Sequence, residues 1–271
     1  MKNIDEITPL IVCGRQRAGT RFITEILSSF EEVTLQGEIP NPITQEMKNF
    51  IEHCDRVYDK QVADGDSPRR ERQRKAWRDK KKRLIFDLWA GLTQSRRVEA
   101  SSNCRYFGYK RPNNEIYFSF YEELFSDPMP NYVYCIRNFE DNYLSIVSRW
   151  PERRINAVAD DYMASIVQYR KMLSSAPGRV HIFDLDAHIR EGAPYVYRAV
   201  LEPLKLVPFN DDHRQKIEAL GPVNTTEGTE KMPRRRVLTE NEIAFIASRP
   251  DIAAAHAKIT KPKKKSKVGP K

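Results

Sequence analysis

The chain has 271 residues, with 46 basic and 37 acidic side chains and a net charge of +9. Hydrophobic residues make up 40% of it, which is enough for a packed core and excludes a chain that is disordered throughout. No stretch without Asp, Glu, Lys or Arg exceeds nine residues, whereas a bilayer-spanning helix needs about twenty apolar residues, so the sequence predicts no membrane span.

The four cysteines are scattered along the chain and form no CxxC pair and no His/Cys cluster. This spacing argues against a structural zinc site and against a disulfide framework. The first ten residues contain acids and no apolar segment, so we expect no secretory signal. These features together predict a cytoplasmic protein with reduced cysteines.

Much of the positive charge is concentrated in two segments. Residues 261–271 contain six lysines and no acid, and without them the net charge is +3, so we expect a separate, disordered tail. Residues 69–83 contain ten basic residues and two acids. Such a run is either a solvated helix face or a surface for an anionic acceptor, a membrane surface or nucleic acid.

Short apolar runs alternate with helical patterns over residues 1–260. Buried strands are predicted at Thr8–Gly14, Val33–Gly37, Arg105–Tyr109, Asn131–Ile136 and Arg179–Leu185. Helical patterns lie between these strands, and a highly charged helical insert covers about 42–95. The alternation predicts one α/β domain with a mostly parallel sheet covered by helices on both faces. In such sheets ligands bind beyond the carboxyl ends of the strands.

The first predicted strand ends in the loop GRQRAGTRF, which runs from Gly14 to Phe22. Glycines allow close backbone approach, and the N-terminus of the following helix offers free N–H groups to an anion. A nucleotide triphosphatase would continue with Gly-Lys-Ser/Thr, but here Thr20 and Arg21 follow Gly19. The loop, with its three arginines, is therefore suited to an anion and poorly equipped for Mg-ATP chemistry; the alternative is an ordinary strand-to-helix turn.

The fourth predicted strand ends in IRNFEDNYLSIVSRW, in which Arg137 leaves the strand and Ser145 lies two turns into the next helix. An arginine and a serine in this arrangement can hold one phosphate from two sides. Asp141 can cap or stabilise the helix start. The alternative is that Arg137 pairs with Asp141 while Ser145 faces water.

Taken together, these two segments resemble the 5′-phosphosulfate loop and the 3′-phosphate motif of the sulfotransferase family, which uses 3′-phosphoadenosine 5′-phosphosulfate (PAPS). The Arg-to-Ser spacing of eight is the same as in that family, and the resemblance covers Pro9 to Leu185. It implies a P-loop-like sulfotransferase fold and a site for PAPS and its product PAP. The cofactor-binding residues that it implies are Arg15, Arg17, Ala18, Gly19, Thr20, Arg21, Arg137 and Ser145.

The resemblance has departures. Arg17 stands where cytosolic sulfotransferases have lysine, and Arg21 replaces the second Thr of the loop. The histidine base of the cytosolic enzymes has no counterpart after the third strand, where Lys110 lies. Glu38 follows the second strand and resembles the glutamate proposed as base in the tyrosylprotein and carbohydrate branches. A carboxylate at a strand end can accept a proton from a hydroxyl; the alternative is a surface glutamate in a salt bridge.

The resemblance implies transfer of a sulfuryl group from PAPS to an acceptor hydroxyl, without a metal. Glu38 is the expected base, and Arg17 and Lys110 are expected to stabilise the leaving phosphate oxygen. The expected acceptor is a carbohydrate or glycoconjugate, with a peptide tyrosine or a small alcohol left open. The alternatives are a P-loop kinase or hydrolase and, in another class, a basic nucleic-acid-binding protein, although no nucleic-acid motif is present. His188 is a reserve candidate for the base. Residues 221–236 either close over the adenine and 3′-phosphate or form a plain mobile loop.

Overall fold

A computed structural model describes residues 6–63, 68–92, 103–206, 210–220 and 237–260. They form a single α/β domain around a five-stranded, all-parallel sheet with the strand order β2-β3-β1-β4-β5. The strands are β1 (Thr8–Gly14), β2 (Val33–Gln36), β3 (Tyr106–Lys110), β4 (Asn131–Ile136) and β5 (Val180–Asp184). Each predicted strand is present to within one residue at each end, and the predicted fold class is confirmed.

Helices connect the strands and continue after β5. The α-helices are α1 (Thr20–Leu27), α2 (Asn41–Ala63), α3 (Pro68–Leu92), α4 (Phe118–Leu124), α5 (Phe139–Val147), α6 (Ile155–Ser175), α7 (Leu185–Glu191), α8 (Ala193–Val196), α9 (Asp211–Ala219), α10 (Glu240–Ala247) and α11 (Pro250–Thr260). A 3₁₀ turn at Asn114–Tyr117 precedes α4, and a π-helical segment at Tyr197–Leu201 follows α8. The helical pattern between the third and fourth strands is therefore divided between a 3₁₀ turn and α4.

The sheet separates two apolar cores because alternate side chains of each strand point to opposite faces. In β1, Ile11 and Cys13 pack on the face covered by α3, α4 and α6, whereas Leu10 and Val12 pack on the face covered by α1 and α8. Near-continuous burial along β1 and β4 is what a parallel sheet covered on both sides requires. The sheet is thus a rigid base that holds the strand ends in fixed positions.

The predicted insert is a helical hairpin formed by α2 and α3. Its outer part is held by the indole of Trp77, which donates a 2.7 Å hydrogen bond to Asp55 and stacks on Tyr58 at 5.4 Å between ring centroids. Nearer the sheet, Phe86 and Trp89 of α3 are buried in the core. The hairpin is therefore anchored at the end nearest the sheet.

None of the helices within the described ranges is both long and apolar enough to cross a membrane. The lysine-rich segment 261–271 and the segment 221–236, for which the sequence leaves closure over the nucleotide open, both lie outside the described residues.

Candidate active site

The loop after β1 has a backbone that depends on its glycines. Gly14 has φ of +105°, and a Cβ there would lie 2.1 Å from the carbonyl oxygen of Cys135 on the neighbouring strand. Gly19 has φ of +87° and is the residue before α1. Between them, Arg17 also lies in the left-handed region, with φ of 63°, which is uncommon for a residue with a side chain. The loop therefore turns sharply and directs the first amides of α1, which have no acceptor within the helix, toward the space above the sheet.

A buried polar network supports this loop from below. The Glu115 carboxylate is 2% exposed and accepts a 2.9 Å hydrogen bond from the Gly14 amide and another from the Ser165 hydroxyl. Arg15 is 3% exposed, and its guanidinium faces Asn113 at 3.5 Å and the ring of Tyr162. Burial raises the pKa of Glu115 and lowers that of Arg15. Arg15, expected to contact the anion, thus lies beneath the loop.

The carboxyl ends of β1, β2 and β3 open into one cavity of about 1040 Å³. Arg17 comes from the loop after β1, Glu38 from the segment after β2, and Lys110 from the last position of β3. Gly19, Thr20 and Arg21 of the loop and helix α1 also line it, whereas Ala18 is fully buried in the core below. Residues from three separate strand ends therefore meet in a single space.

The charged groups of the cavity are paired with one another. The Lys110 ammonium, 12% exposed, donates to the Glu38 carboxylate, which is 52% exposed. Arg21 donates a 2.8 Å hydrogen bond to Glu25 one turn along α1. With Arg17 and Arg149, the lining holds four cations and two carboxylates, so the cavity favours an anion.

Arg17 links the loop after β1 to the helix after β4. Its Nε donates a 3.0 Å hydrogen bond to the Ser145 hydroxyl on α5, although the two residues are 128 positions apart in the chain. The structure therefore brings together the two segments on which the family resemblance depends.

Arg137 is placed among carboxylates. Its guanidinium lies 3.1 Å from Asp141 and 3.6 Å from Asp186. The Arg137–Asp141 pair is the alternative that the sequence left open for this arginine. Helix α5 is capped by Asn138, whose side chain accepts a 2.9 Å hydrogen bond from the Asp141 amide, so Asp141 lies in the first turn and is not the cap.

Several side chains of the site did not emerge as candidates from the sequence. Arg149 and Trp150 line the cavity, and the Arg149 guanidinium lies 5.2 Å from the Trp150 ring centroid. Arg149 follows Ser145 by four residues, a helical spacing that could have indicated it. Glu115 carried no sequence signal, because its partners are brought to it only by the fold.

A second group of ionisable residues lies at the end of β5. Asp184, Asp186 and His256 place potential metal-ligand atoms within 4.8 Å of one another. The two carboxylates already have partners, since Asp184 accepts the Asp186 amide at 3.0 Å and Asp186 accepts the Asn138 amide at 2.6 Å. With Arg137 beside them, these groups are arranged as an ion-pair network.

His188, the reserve candidate for the base, lies on the α1 face of the sheet. Its ring is 4.5 Å from that of Phe22, and its Nδ1 is 3.3 Å from the Gly192 carbonyl oxygen. Burial lowers its pKa. It does not line the cavity that holds Arg17, Glu38 and Lys110.

No protein-family model and no curated protein matches the chain. Among solved structures, the sulfotransferase STF9 from Mycobacterium avium matches with a TM-score of 0.53 at 12% identity, over 95% of this chain and 78% of that one. The sulfotransferase domain of the olefin synthase from Synechococcus PCC 7002 matches with a TM-score of 0.48 at 12% identity, over 97% and 91% of the two chains. At this identity the likeness to STF9 is evidence of fold alone. The chain therefore has a sulfotransferase-like fold.

Proposed function

We propose that the protein transfers a sulfuryl group from PAPS to the hydroxyl of an acceptor. The observation that carries the proposal is the meeting of Arg17, Glu38 and Lys110, from three strand ends, in one cavity. An anion-binding loop, a carboxylate and a strand-end cation are the groups that such a transfer needs. The sulfotransferase-like fold supports the same conclusion.

The residues of the loop fit the phosphosulfate group. The amides of Arg17 to Arg21 would donate hydrogen bonds to its oxygens, and the positive end of α1 adds to the attraction. The cavity volume of about 1040 Å³ leaves room for an acceptor beside a nucleotide. When bound, PAPS would supply a sulfuryl group that forms a bond to the acceptor oxygen as its bond to the phosphate oxygen breaks.

Glu38 is the proposed base. Its carboxylate would accept the proton of the acceptor hydroxyl, and its exposed fraction of 52% leaves it accessible to that hydroxyl. Lys110, which holds Glu38 before the acceptor arrives, would turn its N–H groups toward the leaving phosphate oxygen with Arg17. The same lysine thus orients the base and neutralises charge on the leaving group.

Arg137 and Ser145 are the proposed contacts for the 3′-phosphate. Both are engaged within the protein, Arg137 with Asp141 and Asp186, and Ser145 with Arg17. A phosphate would replace these partners with charge-assisted hydrogen bonds to its own oxygens. Arg15 would act beneath the loop, by holding it in place together with Glu115.

The proposed acceptor is a hydroxyl of a carbohydrate or glycoconjugate. Besides its charged residues, the cavity wall contains the apolar side chains of Pro40, Ile43 and Leu92. A molecule with both hydroxyl groups and an apolar portion suits such a wall. We also propose a cytoplasmic location, which agrees with four free cysteines.

Calorimetric titration with PAP, run beside ATP with magnesium, tests the cofactor. We expect metal-independent PAP binding that is weakened at least about tenfold in Arg17→Ala and in Arg137→Ala, since each removes a charge-assisted contact. Arg153→Ala, which removes an exposed arginine paired with Asp161, is the matched control and should bind PAP normally. Preference for Mg-ATP would replace the proposal with a kinase or hydrolase.

The Glu38→Gln variant tests the base. It keeps the shape of the side chain and removes its ability to accept a proton, so we expect turnover to fall about 10²- to 10⁴-fold while PAP affinity is retained. Turnover is measured with radiolabelled PAPS against a panel of saccharides and phenols. Normal turnover by Glu38→Gln would exclude this carboxylate as the base.

A further inference from the structure

The α2–α3 hairpin stands at the mouth of the cavity. Ile43, in the first turn of α2, and Leu92, the last residue of α3, both line the cavity. Helix α2 has 23 residues, so the hairpin extends about 34 Å from this root. The hairpin therefore projects from the rim of the cavity.

One face of α2 carries a row of exposed apolar side chains. Ile43, Phe50 and Val57 are 38%, 52% and 39% exposed. They are seven residues apart, which places them on one face of the helix at intervals of about 10 Å. Met47 and Ile51 on the neighbouring face are buried in the core. Apolar residues that are exposed singly are ordinary, but these three are aligned along one face of the helix.

Helix α3 carries a row of exposed cations. Arg72, Lys80 and Arg83 lie within a sector of about 80° and span about 17 Å of the helix. The cations on the side toward α2 are paired with its acids, Arg74 with Asp59 at 2.9 Å and Lys81 with Asp55 at 3.2 Å.

The cations of the exposed row lie outside these pairs. Arg83 is 68% exposed, and its Nε lies 3.9 Å from the carboxylate of Asp87, which is itself 69% exposed. The sector therefore presents positive charge to the surroundings.

We propose that the α2–α3 hairpin docks the protein on an anionic lipid surface. The cations of α3 complement acidic headgroups, and Phe50 and Val57 would enter the boundary between headgroups and acyl chains. Nucleic acid and acidic polysaccharides would also attract the cations, but they give no role to the apolar row. On α3 the aromatic Trp77 is already bound to Asp55 and stacked on Tyr58, so it offers no free stacking surface.

Docking would place the cavity mouth at the membrane interface, where a hydroxyl on a lipid or glycolipid can reach it. The proposal concerns a surface and does not depend on the chemistry of the cavity. PAP titration and vesicle binding therefore report on the two proposals separately.

The test is sedimentation of the full chain with phosphatidylcholine vesicles that contain or lack phosphatidylserine. We expect binding only to the anionic vesicles. Arg72→Gln/Lys80→Gln/Arg83→Gln should weaken it by roughly a hundredfold, and Phe50→Ser/Val57→Ser by at least about tenfold. The controls are Val167→Ser/Ile243→Ser, which changes two other exposed apolar residues, and Arg170→Gln/Arg214→Gln/Lys216→Gln, which removes three other exposed cations. Both should bind like the unchanged protein.

Three outcomes would overturn the proposal. The first is no binding to anionic vesicles, and the second is binding that neither hairpin variant alters. The third is binding that responds to the cations but not to Phe50 and Val57, with a DNA duplex or heparin bound equally well; this result would identify a polyanion surface instead. Circular dichroism of each variant shows whether a loss reflects misfolding, and PAP affinity should stay unchanged throughout.

Discussion

Glu115 and Arg15 are two buried groups of opposite charge beneath the loop after β1, and they allow a quantitative test of how the loop is held. Both side chains are almost completely buried, at 2% and 3% exposure. Glu115 accepts hydrogen bonds from the Gly14 amide and the Ser165 hydroxyl, and its charge raises the pKa of Arg15 against the lowering effect of burial. We predict that Glu115→Gln destabilises the fold by about 3 kcal/mol, because it removes the largest of the negative charges that compensate the buried Arg15 guanidinium.

A double-mutant cycle isolates this interaction. Arg15→Met should cost less than Glu115→Gln, because Glu115 keeps its two donors and burial already raises its pKa, so that it can bind a proton. The double variant should be more stable than the sum of the single effects by about 1–2 kcal/mol. Urea denaturation of the four proteins at pH 7 measures the coupling. Single effects that add to within about 0.5 kcal/mol would refute the idea that the two charges support each other.

The same variants also test whether Glu115 affects ligand binding at the candidate site. Because Glu115→Gln removes one of the two acceptor oxygens and the negative charge beneath the loop, it should weaken PAP binding as well as the fold. Glu122→Gln is the matched control, since Glu122 is a partly buried carboxylate that pairs with Arg179 at 2.5 Å but does not line the cavity. It should lower stability and leave PAP affinity unchanged. Equal losses of PAP affinity in the two variants would show that lower stability of the whole fold, and not a change in the loop, weakens binding.

Two further predictions concern the proposed catalytic role of Lys110 and the response of the fold to acid. Lys110→Met should lower turnover by at least about 10²-fold in the radiolabelled PAPS assay, because it removes a cation beside the leaving group, while circular dichroism stays unchanged; full activity would exclude the lysine from the reaction. Burial lowers the pKa of His181 from 6.5 to about 4. The folded protein therefore binds fewer protons at this site than the unfolded chain, and about 3 kcal/mol of stability is lost as the pH falls from about 6.5 to about 4. Urea titrations across this range should show the loss in the native protein and its absence in His181→Leu; identical pH profiles would contradict the assignment.

The strands could be predicted because each is a short apolar run that ends at a polar or glycine residue, and burial on both faces leaves a strong signal. In β1 the run from Thr8 to Gly14 begins and ends where the sequence predicts. The meeting of Arg17, Glu38 and Lys110 was also predictable, since parallel strands place their carboxyl ends at one edge of the sheet.

The direction of individual side chains could not be predicted in this way. Arg15 and Arg17 are two residues apart in one loop, yet the first points into the core and the second toward the cavity. The difference depends on residues that are distant in the chain. Glu115 lies 100 residues after Arg15, and Ser145 lies 128 residues after Arg17. Local patterns carry no information on such long-range pairs, because only the folded sheet brings them within reach.

The pairing of the cations has a consequence for the energetics of anion binding. Lys110 is held by Glu38, Arg21 by Glu25, and Arg137 by Asp141 and Asp186, while Arg17 donates to Ser145. To bind these cations, an incoming anion must therefore replace the carboxylates and the hydroxyl that already stabilise them. The net free energy of anion binding is the difference between two sets of charge-assisted hydrogen bonds. It is therefore much smaller than the attraction between the anion and isolated cations. In the proposed reaction Glu38 would be released from Lys110 as the donor binds, and the availability of the proposed base would then depend on the presence of the sulfuryl donor.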